Sequence, residues 1–411
     1  MIAGQVTAVP ANVLLGYKKE LQAELQAILH YWSSCTQDHE NGGFYGSVNW
    51  NNIPDPTAAK GIVMHSRICW AFSAAYAYTQ KQEHLQMATR AFEYILHHYV
   101  DPVYGGVYWS VDAKGQLLDG KKQIYGQAFC IYALAEYYKV TADGIALQLA
   151  KDLFDLIEQY SFDAAKGGYI EALTREWNEA ADLRLSEKDD NERKTTNTHL
   201  HVIEAYANLY QVWPSGLLKE KIRNLLEIFR THLISREHHH LQLFFDDNWQ
   251  SRSTLISFGH DIEAAWLLAQ CAETIGDSAL IELYRPVSLA MTRAAAEGLD
   301  ADGGLWYEYE PRNHTRINEK HSWPQAEAMI GFFYAWQLSG DELYLTRSLN
   351  AWKFVQDHIL DKQQGEWFWG VYEDYTVMRK EKAGFWKCPY HNTRACLELI
   401  HRISSVLPSK P

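Results

Sequence analysis

The chain has 411 residues, 47% of them hydrophobic and 22% charged, which is enough apolar material for a large core and excludes a disordered chain. Its 38 basic and 51 acidic side chains give a formal charge of -13 with no dense cluster of Lys and Arg. A nucleic acid or anionic membrane is therefore not expected as partner, and small neutral ligands stay open.

Helical periodicity begins over 15–33, where Leu21, Leu25, Ile28, Leu29 and Trp32 share one face. It predicts further helices over 58–79, 82–99, 121–141, 143–159, 192–211, 216–234, 257–274, 277–297, 321–338, 341–359 and 388–404. No proline lies between Pro102 and Pro214, consistent with long helices there. The connections alternate between two kinds. Short turns such as Ile275-Gly276-Asp277 and Ser339-Gly340-Asp341 close one set. Longer aromatic loops starting at Gly42, Gly105, Gly167, Gly303 and Gly365 close the other, with one double interval whose missing member falls near 241–245. Six helical hairpins at one period predict an all-α fold, an (α/α)6 barrel in a single domain over 1–411.

The first 13 residues lack the build of a secretion signal, and no apolar run is long enough to span a bilayer, so a cytoplasmic location is expected. Six cysteines without CxxC spacing read as reduced thiols. The run His238-His239-His240 is not expected to bind metal, because consecutive helical residues point in different directions. No Walker loop, no GxGxxG after a strand and no GxSxG motif occurs. The 15 Trp and 25 Tyr suit a core, but such rings also stack on sugar faces.

Unusual polar residues collect near the starts of the helices entered through the long loops. They are Arg67; Tyr125 and Gln127; Asn197, His199 and His201; His260 and Glu263; Trp323 and Glu327; and Trp386, Tyr390 and His391. Imidazole exchanges protons near neutral pH, so two histidines on opposite sides of a carbon can remove a proton from one face and return one to the other. That inverts a stereocentre. The charged segment 184–194 precedes the helix carrying His201, where it reads as a solvated loop or a lid over the mouth.

The segments 194–201, 257–264, 323–327 and 386–392, together with Ser66-Arg67 and Gln127-Ala128-Phe129, resemble the cellobiose-type branch of the N-acylglucosamine 2-epimerase superfamily. The resemblance runs from Gly42 to the last helix and implies an (α/α)6 barrel. It also implies cofactor-free epimerisation at C2 of a reducing-end aldose through a cis-enediolate, and no plausible metal-ligand set is read in the sequence. By similarity His260 and His391 are the acid/base pair, and His391 is also a candidate for ring opening. Arg67 and His201 would hold O1 and O2, and Glu263 would orient an imidazole. Glu327 and Asn197 would position hydroxyls or polar partners, Trp323 and Trp386 would stack on sugar rings, and Tyr125 and Gln127 complete the expected substrate contacts. The expected partner is a small sugar: a β-1,4-linked disaccharide such as cellobiose, or free mannose and glucose, with aldose-ketose isomerisation a neighbouring outcome. Two residues depart from the pattern, His65 where a polar amide is expected and Ser322 where a second aromatic is common, and both bear on how a second sugar ring is held.

Overall fold

A computed structural model describes residues 11–407. Among them are twelve α-helices: α1 (Ala11–Cys35), α2 (Ile62–Thr79), α3 (Gln82–Tyr94), α4 (Ile124–Thr141), α5 (Gly144–Tyr160), α6 (Thr196–Val212), α7 (Gly216–Ile228), α8 (Phe258–Thr274), α9 (Ser278–Ala295), α10 (Ser322–Ser339), α11 (Glu342–Phe354) and α12 (His391–Val406). None is long and apolar enough to cross a membrane. The even-numbered helices pack in sequence, α2 on α4, α4 on α6, α6 on α8, α8 on α10 and α10 on α12, and α12 packs back on α2. Each is backed by an odd-numbered neighbour: α3 on α2, α5 on α4, α7 on α6, α9 on α8, α11 on α10 and α1 on α12.

Residue content follows position. In α2 every residue from Ile62 to Ser73 is buried, and α4 and α10 are buried over comparable runs. A helix apolar all round is stable only when surrounded, which suits an inner place. The outer α3, α5 and α7 are amphipathic, burying a stripe such as Leu218, Ile222, Leu225 and Leu226 of α7.

Two boundary expectations are corrected. The helices expected over 82–99, 216–234 and 341–359 each end in a five-residue π turn, Ile95–Tyr99, Phe229–Leu233 and Val355–Ile359. The starts expected at 58, 121 and 192 are instead taken by two-residue strands, Lys60–Gly61, Lys122–Gln123 and Lys194–Thr195. These pair antiparallel with Ser110–Val111, Ala172–Leu173 and Phe244–Phe245, linking each repeat to the next. A two-residue strand has no period to read.

The missing loop is present without its glycines. All six long connections begin with the same antiparallel bridge, and the fourth is Ile234 to Leu241. Its left-handed position, filled elsewhere by Gly42, Gly105, Gly167, Gly303 and Gly365, is held by His239 at φ 61°. His238 to His240 are therefore loop residues. His240 is buried with Nδ1 2.7 Å from Asp261, whereas the other two are exposed.

Inside five of these loops a buried lysine reaches a loop aspartate: Lys60 to Asp38, Lys122 to Asp101, Lys194 to Asp163, Lys320 to Asp300 and Lys382 to Asp361, at 2.5–3.0 Å. The fourth loop has no such lysine, and the His240–Asp261 pair stands there instead. A second staple joins five of the six loops to their inner helices. The backbone N–H groups of Phe44, Val107, Tyr169, Leu241 and Leu305 donate to His65, Gln127, His199, Asp261 and Gln325 respectively, at 2.7–3.3 Å. Each acceptor is the fourth residue of its helix, so imidazole, amide and carboxylate do one job.

Candidate active site

The N-terminal ends of the inner helices surround a cavity of about 610 Å³. Arg67, Tyr125, Asn197, His201, His260, Glu263, Trp323, Trp386 and His391 all line it. Two expected substrate contacts do not. Gln127 is buried away from the cavity, its amide accepting from Val107 N and donating to Val107 O at 2.8 and 2.7 Å. Glu327 is fully buried behind His391. The staple also explains His65: its imidazole accepts the Phe44 N–H that an amide would accept, and it lies outside the cavity wall, unlike Ser322.

Four imidazoles line the cavity, and three of them, His201, His260 and His391, come from separate helices, each with Nδ1 engaged. His201 Nδ1 lies 2.9 Å from Glu204, His260 Nδ1 lies 2.8 Å from Ser257 Oγ, and His391 Nδ1 lies 2.7 Å from Glu327. A carboxylate only accepts, so in His201 and His391 Nδ1 carries the proton. Burial pushes the His260 imidazole down to about 3, helped by the neighbouring His201 and Lys188. Burial, with the Arg67 and Arg394 guanidiniums, holds His391 well below the ordinary histidine range. Both rings are neutral near pH 7 and can accept a proton. The Trp323 ring bridges them, its centroid 4.8 Å from that of His260 and 5.4 Å from that of His391.

Beneath the histidines sits a charged cluster that the sequence reading missed. The buried Arg394 guanidinium donates to Glu263 at 2.5 Å and Glu327 at 2.7 Å, and also to Glu204 and Tyr390. Burial alone would raise all three carboxyls. Arg394 and His201 hold Glu204 at about 2, whereas Glu263, beside Glu327, rises to about 7. The expected orienting role of Glu263 passes largely to Glu327, since Glu263 Oε1 is 4.0 Å from His391 Nδ1. The spacing held a signal: Glu204, Glu263 and Arg394 each follow a cavity histidine by three residues, one helical turn on. Glu263, Glu327 and His391 also offer donor atoms within 4.8 Å of one another, as a metal site would. Here the Arg394 guanidinium, hydrogen-bonded to both carboxylates, supplies the positive charge that an ion would bring.

Arg67 enters from α2, donating to Tyr125 Oη at 2.8 Å and approaching the Cys388 thiol at 3.6 Å, with its guanidinium carbon 4.2 Å from the Phe129 ring centroid. Its Nε has no partner, nor does the buried Oδ1 of Asn197. Such buried atoms are costly to leave unpaired. The loop expected as a lid contributes Arg184 to Asp190 to the cavity wall and is tethered across it by Lys188, which donates to Tyr307 Oη at 2.9 Å. Under this loop Glu171, accepting from the Thr195 and Thr198 hydroxyls, is raised by burial to about 7.

The model of the N-acylglucosamine 2-epimerase family matches residues 42–395, so the chain is a carbohydrate epimerase. It belongs to the N-acylglucosamine 2-epimerase family. It is 47% identical to a cellobiose 2-epimerase of Bacteroides fragilis, over 93% of this chain and 98% of that one. The solved cellobiose 2-epimerase of Bacillus thermoamylovorans superposes with a TM-score of 0.91 at 39% identity, covering 94% of this chain and all of that one. A solved D-mannose isomerase, 22% identical with a TM-score of 0.82 over 93% of this chain and 97% of that one, shares the fold.

Proposed function

We propose that this chain is a cellobiose 2-epimerase, interconverting glucose and mannose at the reducing end of a β-1,4-linked disaccharide, and that its cyclic packing of inner helices is an (α/α)6 barrel. The observation that carries the mechanism is the set of cavity imidazoles on separate helices, each fixed through Nδ1. After ring opening, one of His260 and His391 takes the proton from C2 and the other returns one to the opposite face. The cis-enediolate formed between them carries negative charge on O1 and O2, which Arg67 and His201 stabilise as donors. The two carriers differ in their support: Glu327 backs Nδ1 of His391 with a carboxyl, whereas Ser257 gives His260 only a hydroxyl. A glycoside hydrolase would need two carboxyls flanking the glycosidic oxygen; of the buried cavity carboxyls, Glu263 is spent on Arg394 and Glu171 on the Thr195 and Thr198 hydroxyls.

A disaccharide is favoured over a lone hexose by the cavity itself. Its wall extends past Trp323 to Ser186, Asp189 and Tyr307, which offer hydrogen bonds and a ring face to a second sugar. Proton NMR of cellobiose and of mannose in deuterated water tests the reading. Conversion of cellobiose to glucosylmannose with deuterium at C2, and a higher kcat/KM for cellobiose than for glucose, is the expected result. Preference for the monosaccharide would shift the assignment to a mannose 2-epimerase, a ketose product would make it an isomerase, and release of glucose without exchange would make it a hydrolase.

With Arg394 supplying the charge that an ion would bring, turnover needs no metal. Epimerisation should continue at an unchanged rate after exhaustive treatment with EDTA. A rate lost on chelation and restored by a divalent ion would mean that the carboxylates and His391 hold a metal.

A further inference from the structure

Five of the six inner helices begin directly after a strand of two or three residues: Lys60–Gly61, Lys122–Gln123, Lys194–Thr195, Ile256–Ser257 and Glu319–His321. α12 does not. The counterpart of that strand has shrunk to one bridge, Ala383 to Val48, and residues 384–390 intervene before His391. This insertion carries Trp386, and it leads into the turn that carries His391. Strand pairing cannot hold it, so another interaction must.

The side chain in place is Glu366. It occupies the position that Gly43, Gly106, Gly168 and Gly304 occupy in other repeats, yet it keeps a left-handed φ of 63°, which glutamate rarely adopts. It is only 4% exposed. Its Oε2 accepts from the Trp32 indole at 2.8 Å, and its Oε1 accepts from Lys387 Nζ at 2.6 Å and Asn392 Nδ2 at 2.8 Å. One carboxylate thus ties α1 to the residue after Trp386 and to the residue after His391. Glu366 does not itself line the cavity. A strained residue kept where glycine would be relaxed, with three buried donors converging on it, points to a role for the carboxylate.

We propose that Glu366 is a positioning residue that replaces the missing strand, fixing Trp386 and His391 against the substrate and thereby setting turnover more than sugar affinity; this rests on the reading of His391 as a proton carrier.

The test compares wild type, Glu366→Gln and Glu366→Gly on cellobiose, measuring kcat, KM and deuterium exchange at C2. It also records the fluorine NMR signal of Trp386 in protein labelled with 5-fluorotryptophan, assigned by its loss in Trp386→Phe. Both variants should lose kcat by roughly tenfold to a hundredfold, as a small misplacement of a reacting group costs, while KM changes by less than about threefold and the Trp386 signal shifts or broadens. Glycine relieves the left-handed φ, so backbone strain cannot explain a loss in that variant. Wild-type kcat with an unmoved Trp386 signal in folded variants would overturn the proposal. Wild type that exchanges no C2 proton would instead refute the functional reading, leaving the fluorine signal to decide the positioning claim. Where the Glu366 variants do not fold, Trp32→Phe removes one donor of the clamp outside the cavity, and it must lower kcat at constant KM; an unchanged kcat overturns the claim.

Discussion

Arg394→Met should unfold at markedly lower denaturant and lose essentially all turnover. The side chain is buried, and its guanidinium is hydrogen-bonded to Glu204, Glu263 and Glu327. Removing one partner of a buried charged network costs about 3–5 kcal/mol, because the groups left behind stay desolvated without their counter-charge. Here three carboxylates would face one another. Their native pKa values would then rise above the unfolded value, so they would bind protons in the folded state that the unfolded chain does not hold. A raised carboxyl pKa contributes stability that is present below the unfolded value and is lost as pH rises through the folded one. The stability deficit of Arg394→Met should therefore be largest near pH 8 and shrink towards pH 5. Urea unfolding at a series of pH values measures it, and a deficit that grows as pH falls would show that the cluster does not depend on Arg394 for charge balance.

This network shows where sequence reasoning stops. The alternation of short turns and long loops was legible because each loop repeats a bridge and a left-handed residue, and even the fourth loop keeps both, with His239 replacing a glycine. Arg67, Tyr125, Asn197, His201, His260, Trp323, Trp386 and His391 stood out as polar or aromatic residues at the starts of inner helices, and the fold brings them to one cavity. Gln127 stood out equally, yet it is spent on the Val107 backbone. A polar residue near a helix start serves either the loop or the cavity, and only its register within the helix separates the two. The fourth residue takes the staple; Arg67, His201, Glu263 and Glu327 are all sixth residues. That register depends on helix starts, which two-residue strands hide. Arg394 and Glu204 were passed over for another reason: a single charge on a helix ordinarily faces water, and only the closing of α12 onto α2 and α10 buries the arginine among acids from α6, α8 and α10.

The second large effect concerns the proton carriers. His260→Ala and His391→Ala should each lower net epimerisation by roughly a hundredfold to ten-thousandfold, the usual contribution of a positioned general acid or base. With both rings neutral, either can start the reaction, one from each epimer. The carrier that remains in each variant can still remove and return a proton on its own face. Arg67→Ala behaves differently, since the enediolate loses its stabilising donor whichever side it is formed from, and exchange from both epimers falls together.

The most direct test is therefore C2 exchange in deuterated water, starting separately from cellobiose and from glucosylmannose, with folded His260→Ala and His391→Ala. The two-histidine account predicts that net epimerisation is lost in both, that each variant keeps wash-in from one epimer only, and that the epimer differs between them. Near-normal epimerisation in both variants, or exchange that persists from the same epimer in both, would contradict it and return the search for the second proton carrier to His201 and Glu263.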